Sequence, residues 1–362
     1  MSKSCRYLIM AGGTGGHIFP AMAVAKLLID RGNDVYWLGT ASGMESGIVS
    51  KEEIPLHAIT IKGFRGKGIL AKFYMPVLLL SAIWQSVRII IKTKPDVVVG
   101  FGGYVSAPGG IAAKLLGKKL VVHEQNSVAG TTNKLLAKIA SKVLEAFPGS
   151  LKNAVLVGNP VRKNIEQLFL NQKDTSDKEK KLLITGGSLG AEAINMMMPT
   201  VIKSLPEDIR PKVWHQTGKN KLDSTSKKYA ELGLDVQVVE FIADVEEAYR
   251  WADIIICRAG ALTVSEIAVA GLPAVFIPYP YAIDNHQLSN AQWLVDNQAS
   301  FLIEQKDLTE EKLSKLLIKI LKDNSELNEM STRLKKIAKP NATEDVVAAC
   351  ERICSGEIDY AA

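Results

Sequence analysis

An apolar strand that leads directly into a glycine loop and then into a helix occurs twice in this chain. RYLIMAGGTGGHIFP and KLLITGGSLGAEAIN align with Gly13 and Gly187 174 residues apart. A second pair, DVVVGFGGYVSAPGG and DIIICRAGALTVSEI, aligns with Asp96 and Asp253 157 residues apart. Continuous apolar strands that alternate with helices are typical of parallel sheets covered on both faces. The repetition therefore predicts two doubly wound, Rossmann-like α/β halves.

The length of 362 residues suits two such domains, each with its own core. GNPVR contains an Asn-Pro pair, which favours a turn, and we place the boundary near 158–163. The predicted domains are 1–161 and 162–339. The segment from Pro340 onward reads as one capped helix, and its pattern alone assigns it to neither half.

Composition narrows the class of protein. With 47% hydrophobic and 23% charged residues, the chain is neither disordered nor fibrous. The four cysteines lack zinc-site spacing and are few for a secreted scaffold, so we expect a reducing cytoplasm. Cys350 and Cys354 lie one helical turn apart, and we expect them to be small buried hydrophobes without a further role, with a shared metal as the alternative. MSKSCRYLIMAGG lacks a signal-peptide pattern and predicts a first strand.

The first glycine loop lies between a strand and a helix, where open parallel sheets bind anionic ligands. A dinucleotide is disfavoured, because Ile18 stands where the fingerprint needs its third glycine and the acidic candidate, Asp34, precedes the second strand. A tight turn without a ligand stays open. His17 begins the helix, whose dipole disfavours imidazolium and leaves a neutral imidazole as a candidate base. A structural histidine is the alternative.

Polar side chains follow two further strands of the first half. Tyr104 and Ser106 come after DVVVGF, while His123, Glu124 and Asn126 end or follow KLVVHE. Carboxyl ends of parallel strands share one edge of a sheet, so we expect these side chains to meet at one rim. Some of them satisfy only loop backbone.

The second half contains the elements of a diphosphate cradle. Gly187, Ser188 and Gly190 open one helix, and ALT at 261–263 opens another, so two helix N-termini offer free amides. Glu266 is placed to accept hydrogen bonds from a ribose, or else is a helix-dipole acid. The sequence has no D-x-D pair and no ligand cluster at metal spacing, so no metal is expected. Preorganised dipoles and Arg162 would then meet the leaving-group charge.

The segment 69–91 is apolar apart from Lys72 and Arg88 and is nearly long enough to span a bilayer. Pro76, Gln85 and the two charges argue against spanning. A helical projection places one stripe against the sheet, namely Ile69, Phe73, Leu80, Trp84, Val87 and Ile91.

Charge is concentrated around this segment. Residues 60–150 hold 13 Lys or Arg against three acids, a net charge of +10, which leaves −4 for the rest of the +6 chain. An apolar face within a basic region predicts docking on anionic lipid headgroups. A fully buried helix with a solvated basic surround is the alternative, and nucleic acid is disfavoured because aromatic stacking platforms are missing.

Taken together, these motifs closely resemble the undecaprenyl-diphospho-muramoylpentapeptide beta-N-acetylglucosaminyltransferase family over essentially the whole chain. The departures are conservative, with Phe64 in place of Leu and Ala107 in place of Gly. The resemblance is carried by GGTGGHIFPA (12–21), GFRGKG (63–68), GFGGYVSAPGG (100–110), HEQN (123–126), GNPVR (158–162), GGSLGA (186–191), RAGALTVSE (258–266) and DNHQ (284–287).

The resemblance implies a GT-B fold of two Rossmann-like domains facing a cleft and an inverting, cofactor-free and metal-independent transferase. UDP-N-acetylglucosamine would bind to 162–339. The lipid-linked muramyl peptide would bind to 1–161, against which 340–362 would pack. The enzyme would serve peptidoglycan synthesis, cell shape and division as a peripheral protein on the cytoplasmic face of the inner membrane, with other cell-wall or division proteins as partners.

Site residues carried over from the resemblance fall into three groups. His17 would be the general base, with Glu124 as second choice, and Tyr104 and Ser106 would face the acceptor. Thr14, Gly15, Gly16 and Asn126 would approach the donor from the first domain. In the second domain the donor contacts would be Ile242 to uracil, Glu266 to ribose, Gln287 to the sugar, and Arg162, Ser188, Ala261, Leu262, Thr263, Val264 and Ser265 around the diphosphate.

Two other functions compete with this one. A UDP-sugar epimerase shares the fold but acts on a soluble nucleotide sugar. A nonenzymatic membrane scaffold would use only the apolar surface.

Overall fold

The computed structural model describes residues 4–61, 69–170, 179–187, 189–322 and 324–357, with the backbone alone for 69–74. The chain forms two compact units. Unit 1 comprises Met1–Arg162 and Asn341–Ala362, and unit 2 comprises Lys163–Pro340. The assignment of acceptor and donor to these units stays a prediction.

Unit 1 contains a seven-stranded sheet in the order β3-β2-β1-β4-β5-β6-β7, and every described strand pair is parallel. The order reverses between β1 and β4, the point where doubly wound sheets bind ligands. The strands are β1 (Arg6–Met10), β2 (Asp34–Gly39), β3 (Leu56–Ala58), β4 (Val97–Gly100), β5 (Lys119–Glu124), β6 (Lys142–Glu145) and β7 (Val155–Leu156).

Helices cover both faces of this sheet. Side chains of β1 alternate between them, with Tyr7 and Ile9 in one buried cluster and Leu8 and Met10 in the other. The helices of the first segment are α1 (Gly15–Asp30), α2 (Met44–Val49), α3 (Ile69–Thr93), α4 (Ser106–Leu115) and α5 (Thr131–Leu136), and Ser50–Glu52 forms a 3₁₀ turn.

Unit 2 repeats the arrangement with a six-stranded parallel sheet in the order β10-β9-β8-β11-β12-β13. Its strands are β8 (Lys181–Thr185), β9 (Lys212–Gln216), β10 (Gln237–Val239), β11 (Ile254–Cys257), β12 (Ala274–Phe276) and β13 (Phe301–Leu302). Its helices are α6 (Lys163–Leu168), α7 (Glu192–Ser204), α8 (Leu222–Glu231), α9 (Val245–Trp251), α10 (Ala261–Ala270), α11 (His286–Asp296), α12 (Glu310–Lys322) and α13 (Asn324–Ile337). The predicted class, two doubly wound α/β halves, is confirmed.

The internal repeat extends to single hydrogen bonds. Asp96 precedes β4 and accepts the backbone N–H of Arg6 at 2.8 Å, and Asp253 precedes β11 and accepts that of Lys181 at 2.8 Å. Each aspartate therefore fastens the start of the first strand of its sheet to the start of the fourth. The sequence echo between Asp96 and Asp253 records the same structural role in both halves.

The last helix, α14 (Ala342–Ser355), packs against α1 of unit 1. Val346, Val347 and Cys350 are fully buried in the cluster that lies under α1, and Arg31 pairs with Glu344 and Glu351 at the surface. Burial of an apolar stripe supplies most of the stability of such a helix.

Two cysteines depart from the sequence expectation. Cys257 and Cys350 are free and buried, as expected for Cys350, but Cys354 forms a disulfide with Cys5 between α14 and the N-terminal strand region. The expectation that Cys354 has no further role was wrong, because 349 residues separate it from Cys5 and only the packing of α14 brings the two together. Among the described residues, one group of three possible metal ligands lies together, namely Cys5, Asp96 and Cys354, and its two sulfurs are bonded to each other.

Helix α3 buries a different stripe from most of the one predicted. Ala82, Ser86 and Ile90 are buried, whereas Leu80 is 66% and Trp84 58% exposed. Of the other predicted residues, Ile91 is exposed, Val87 packs partly on the core, and the side chains of Ile69 and Phe73 lie outside the described residues. The small side chains of Ala82 and Ser86 suit the contact between α3 and α4. The projection failed because it ranked side chains by hydrophobicity, whereas helix packing here selects small residues for close approach.

Candidate active site

Three loops of unit 1 lie at one edge of its sheet. They follow β1, β4 and β5, which are neighbours in the sheet, and contain residues 11–14, 101–105 and 125–130. The predicted polar residues of the first half therefore meet at the carboxyl edge, next to the strand-order reversal. The expectation that the loops carrying these side chains meet at one rim is confirmed.

His17 lies in the first turn of α1 and is partly exposed. Its Nδ1 is 2.9 Å from Gln125 Oε1. The ring packs so closely on the second loop that a Cβ on Gly102 would lie 3.1 Å from His17 Cε1, and Gly102 has a φ of +95°. Glycine is therefore needed at 102 both for the turn and for the histidine beside it.

Glu124 ends β5 and is almost fully buried. Oε1 accepts the backbone and side-chain N–H groups of Asn126 at 2.9 and 3.3 Å. Oε2 accepts the Gly130 N–H at 3.1 Å and the Asn133 side chain at 2.9 Å. These four hydrogen bonds engage both carboxylate oxygens and hold the loop after β5. Glu124 therefore shapes the loop, while the partly exposed His17 stays the first candidate for the base.

The remaining predicted residues of unit 1 differ in their exposure to solvent. Thr14 and Gly16 are exposed, and Gly15, Tyr104 and Asn126 are partly exposed. Ser106 is fully buried, with Oγ within 3.0 Å of the Met10 and 2.7 Å of the Gly102 carbonyl oxygens. It holds the second loop onto β1 and does not reach the surface where an acceptor would bind.

A buried carboxylate that sequence reasoning missed supports the first glycine loop. Glu45 is fully buried, its Oε1 accepts the backbone N–H and hydroxyl of Thr40 at 2.9 and 2.8 Å, and its Oε2 accepts the Gly13 N–H at 3.3 Å. Burial of a charge requires such partners. The sequence holds no local signal for this role, because Glu45 lies in the first turn of α2 and Gly13 in the loop after β1, 32 residues earlier.

The predicted donor residues of unit 2 also lie at one carboxyl edge. They follow the neighbouring strands β8, β11 and β12, with Ile242 buried after β10. Helix α10 begins at Ala261 after Gly260, so its first-turn amides face outward from the helix end. Leu262, Thr263 and Ser265 are partly exposed, while Ala261 and Val264 are buried. Ser188 lies outside the described residues.

Glu266 is 4% exposed and accepts the hydroxyl of Tyr249 at its Oε2, at 3.3 Å. The sequence did not single out Tyr249, which belongs to α9. Tyr249 also lines a cavity of about 380 Å³ at the amino ends of β8, β11 and β12, away from the loops that hold the predicted donor residues. The hydroxyl orients a carboxylate that the resemblance assigns to ribose.

The loop after β12 carries two strained residues next to Gln287. Asp284 and Asn285 have φ values of +52° and +57°, which non-glycine residues adopt mainly where function or packing demands it. Gln287 Oε1 accepts the backbone N–H groups of Ala259 and Tyr279 at 3.3 and 3.0 Å. These bonds tie the loop after β11 to the loop after β12 and orient the Gln287 amide.

Two arginines, one in each unit, contact the loops or rings around them. The Arg258 guanidinium donates to the Ile277 and Pro278 carbonyls and to Gln305 Oε1, and burial lowers its pKa. Arg162, the last residue of unit 1, is partly exposed with its guanidinium carbon 5.4 Å from the Phe19 ring centroid.

Two family domains match this chain. Residues 7–145 match the glycosyltransferase family 28 N-terminal domain, and residues 181–346 match the glycosyltransferase family 28 C-terminal domain. The chain is also 46% identical over 354 residues, 96% of its length and 99% of the relative, to a Pseudomonas fluorescens protein. The chain belongs to glycosyltransferase family 28. Both matched regions contain the glycine loops described above.

The curated relatives carry one name. The Pseudomonas fluorescens protein is the UDP-N-acetylglucosamine--N-acetylmuramyl-(pentapeptide) pyrophosphoryl-undecaprenol N-acetylglucosamine transferase. The Pseudomonas entomophila protein of the same name is 47% identical, over 96% of this chain and 98% of that protein.

Solved structures agree with this family-28 chain in fold. The crystal structure of Acinetobacter baumannii MurG is 40% identical and matches with a TM-score of 0.83 over 96% of this chain and 99% of that one. A putative UDP-N-acetylglucosamine 2-epimerase from Listeria monocytogenes is 15% identical with a TM-score of 0.66 over 98% of both chains. The second likeness shows the shared fold alone. The two parallel-sheet domains are those of the GT-B fold.

Proposed function

We propose that this chain transfers N-acetylglucosamine from UDP-N-acetylglucosamine to the muramyl sugar of an undecaprenyl-diphosphate-linked pentapeptide, in peptidoglycan synthesis. The observation that carries the proposal is the 46% identity over 96% of the chain to transferases of that activity. The two carboxyl-edge loop sets supply suitable chemistry. Unit 2 offers the amides of α10 and the buried Glu266 to the nucleotide, and unit 1 offers His17 to a hydroxyl.

The reaction is a single displacement. The muramyl 4-hydroxyl oxygen bonds to the anomeric carbon as the bond from that carbon to the UDP oxygen breaks, and attack from the opposite face gives a β-linked product. His17 takes the hydroxyl proton, and UDP leaves with the bonding electron pair. Arg162 and the first-turn amides of Ala261, Leu262 and Thr263 offset the charge that develops on the diphosphate.

One transfer assay tests this proposal against its rivals. Labelled UDP-N-acetylglucosamine is incubated with a lipid-linked muramyl peptide, with and without EDTA, and the label is followed into lipid-extractable product. Label in the lipid phase at equal rates in both arms is the expected result. Label that stays in a soluble, isomerised nucleotide sugar would identify an epimerase, and no conversion of either kind would favour a scaffold. Loss of transfer in EDTA would contradict the metal-independent mechanism.

The proposal includes docking on the cytoplasmic face of the inner membrane through α3. Its exposed stripe follows helical spacing with Val77, Leu80, Trp84, Arg88 and Ile91, and the Arg88 guanidinium carbon is 4.5 Å from the Trp84 ring centroid. Exposed contiguous apolar surface of this kind is typical of interaction sites. Exposed basic residues of the same unit, Lys134 and Lys138 in and after α5, suit anionic headgroups. Lys62, Arg65 and Lys67 lie outside the described residues.

Docking is favoured over spanning. Within the described residues, Met75–Thr93 is the one helix segment long and apolar enough to cross a bilayer, with a mean hydropathy of 1.4. Its inner stripe, Ala82, Ser86 and Ile90, is buried in unit 1. Spanning would strip that stripe from its core, at a cost of roughly 25 cal/mol for each Å² of apolar surface uncovered.

We expect Leu80→Asp with Trp84→Asp to abolish binding to vesicles that contain anionic lipid. The change removes two exposed apolar anchors and adds two negative charges facing the headgroups. Cosedimentation with vesicles measures it. Leu170→Asp is the matched control, because Leu170 is 83% exposed but lies in unit 2. Equal binding by all three proteins would contradict the docking face.

A further inference from the structure

A chain of hydrogen bonds connects His17 to residues that the proposed mechanism does not use. His17 Nδ1 is 2.9 Å from Gln125 Oε1, and Gln125 Nε2 is 3.0 Å from His123 Nδ1. His123 Nε2 is 2.8 Å from the carbonyl oxygen of Gly158. Gln125 and His123 are both buried, with 1% and 0% of their surface exposed. This series of hydrogen bonds thus runs from the partly exposed His17 into the interior of unit 1.

Two backbone carbonyls fix the direction of every bond in this chain. The Gly158 oxygen has no proton, so His123 Nε2 must donate to it. Gln125 Nε2 lies 2.9 Å from the His123 carbonyl oxygen as well, which only the NH₂ end of the amide can satisfy. Gln125 Oε1 therefore faces His17, and the His17 Nδ1 must carry the proton that it accepts. The lone pair of the His17 ring is left on Nε2.

His123 supports this assignment because it is neutral. Burial lowers the pKa of His123 to about 4, so at neutral pH the ring carries a single proton. With that proton on Nε2, Nδ1 is an acceptor and receives the second N–H of Gln125. The amide nitrogen of Gln125 contacts both the Nδ1 and the carbonyl oxygen of His123, so a flip that exchanged the amide oxygen and nitrogen would break both bonds.

We propose that Gln125 is a positioning residue that, held by His123 and the Gly158 carbonyl, keeps His17 in the Nδ1–H tautomer so that Nε2 accepts the acceptor's proton. The inference rests on the proposed role of His17 as base. Proton uptake at Nε2 leaves the Nδ1–H bond to Gln125 in place, so the network is the same before and after the transfer. No group in the network changes partner during turnover, which is the advantage of a preorganised site.

Residues near the end of the first segment of unit 1, Met1–Arg162, hold the network in place. Gly158 has a φ of +87°, a conformation that favours glycine, and Asn159 Nδ2 donates to the Gln125 carbonyl at 3.0 Å. Gly158 and Asn159 belong to the GNPVR motif, so that motif has a second task besides ending the domain. Its Gly158 carbonyl oxygen fixes the proton of His123 on Nε2, and through Gln125 this fixes the tautomer of His17.

Long-range ¹H–¹⁵N correlation spectra of the ¹⁵N-labelled protein test the tautomer directly. The chain holds five histidines, and the His17 signals are assigned by their loss in His17→Gln. We expect a protonated Nδ1 and an unprotonated Nε2 at His17. In Gln125→Leu, which has no acceptor for Nδ1, we expect the proton to redistribute to Nε2 and kcat to fall about 10- to 100-fold with the donor KM unchanged.

A second variant guards against a mere folding defect. Gln125→Glu keeps an oxygen facing His17 Nδ1 but loses the two hydrogen bonds that the amide nitrogen donates to His123, so we expect it to retain the Nδ1–H tautomer whatever its activity. An Nε2–H tautomer in the unaltered protein, or an Nδ1–H tautomer kept in folded Gln125→Leu, would overturn the proposal. If the tautomer shifts as expected while His17→Ala turns over normally, the base role fails and the tautomer assignment stands, so the two failures are distinguishable.

Discussion

We expect His17→Ala to lower kcat about 10²- to 10⁴-fold while the KM for UDP-N-acetylglucosamine changes little, since general bases contribute rate factors of that size. The imidazole lies on unit 1, in the first turn of α1, whereas the predicted nucleotide contacts other than Arg162, Asn126 and the glycine loop belong to unit 2. Loss of a group that acts only on the reacting hydroxyl lowers kcat and kcat/KM together. Steady-state transfer kinetics at saturating acceptor measure both parameters.

The control for this variant is His57→Ala. His57 also belongs to unit 1, on β3 at the edge of the sheet, and burial with nearby Lys92 lowers its pKa. We expect near-normal turnover from it. Near-normal turnover from His17→Ala would remove the base role. Glu124 would then be the next candidate only if its four hydrogen bonds were shown to open.

We expect Gly190→Ala to destabilise unit 2 far more than Gly187→Ala, although both glycines stand in the same loop. Both have positive φ, +69° and +78°, so alanine at either costs about 1–2 kcal/mol in backbone strain. At Gly187 nothing lies within 4 Å of the added Cβ, whereas at Gly190 it would lie 1.9 Å from the Thr217 carbonyl oxygen. The second substitution therefore adds a backbone clash to the strain.

The clash cannot be relieved cheaply. The Thr217 oxygen accepts the Asn195 side chain at 2.9 Å, and Thr217 N–H donates to Val239 at 2.9 Å. Calorimetry should show a fall in the melting temperature of unit 2 of roughly 2–8 °C for Gly187→Ala, at about 2–4 °C per kcal/mol for a domain of this size. For Gly190→Ala we expect more than ~10 °C or no folded unit 2. Equal falls for the two variants would contradict the close approach of the loop to β9.

The fold and the location of the site followed from local patterns in the sequence. Strand, glycine loop and helix are specified by side chains that are neighbours in the chain, and the carboxyl edge of a parallel sheet collects the loops that follow its strands. The echo of Asp96 in Asp253 predicted the two-domain repeat, and the same bond at the start of each sheet explains it. Family membership then follows from motifs in a fixed order along the chain.

The roles of individual side chains depended on contacts distant in sequence. His17 and Gln125 are 108 residues apart and Cys5 and Cys354 are 349 apart, and sheet order and helix packing alone bring them together. The partners of Glu124 are near in sequence, within 9 residues, yet only the folded loop shows that both oxygens of its carboxylate are engaged.

The chain by itself therefore determined the fold class, the edge at which chemistry occurs and the residue types present there. Tertiary structure decided which stripe of α3 is buried, which polar groups are free to act, and which nitrogen of His17 holds the lone pair. Local patterns report which strands, loops and helices form, because those depend on side chains that are neighbours in the chain. Hydrogen-bond direction depends on partners from several strands at once, so it exists only after the sheet has formed.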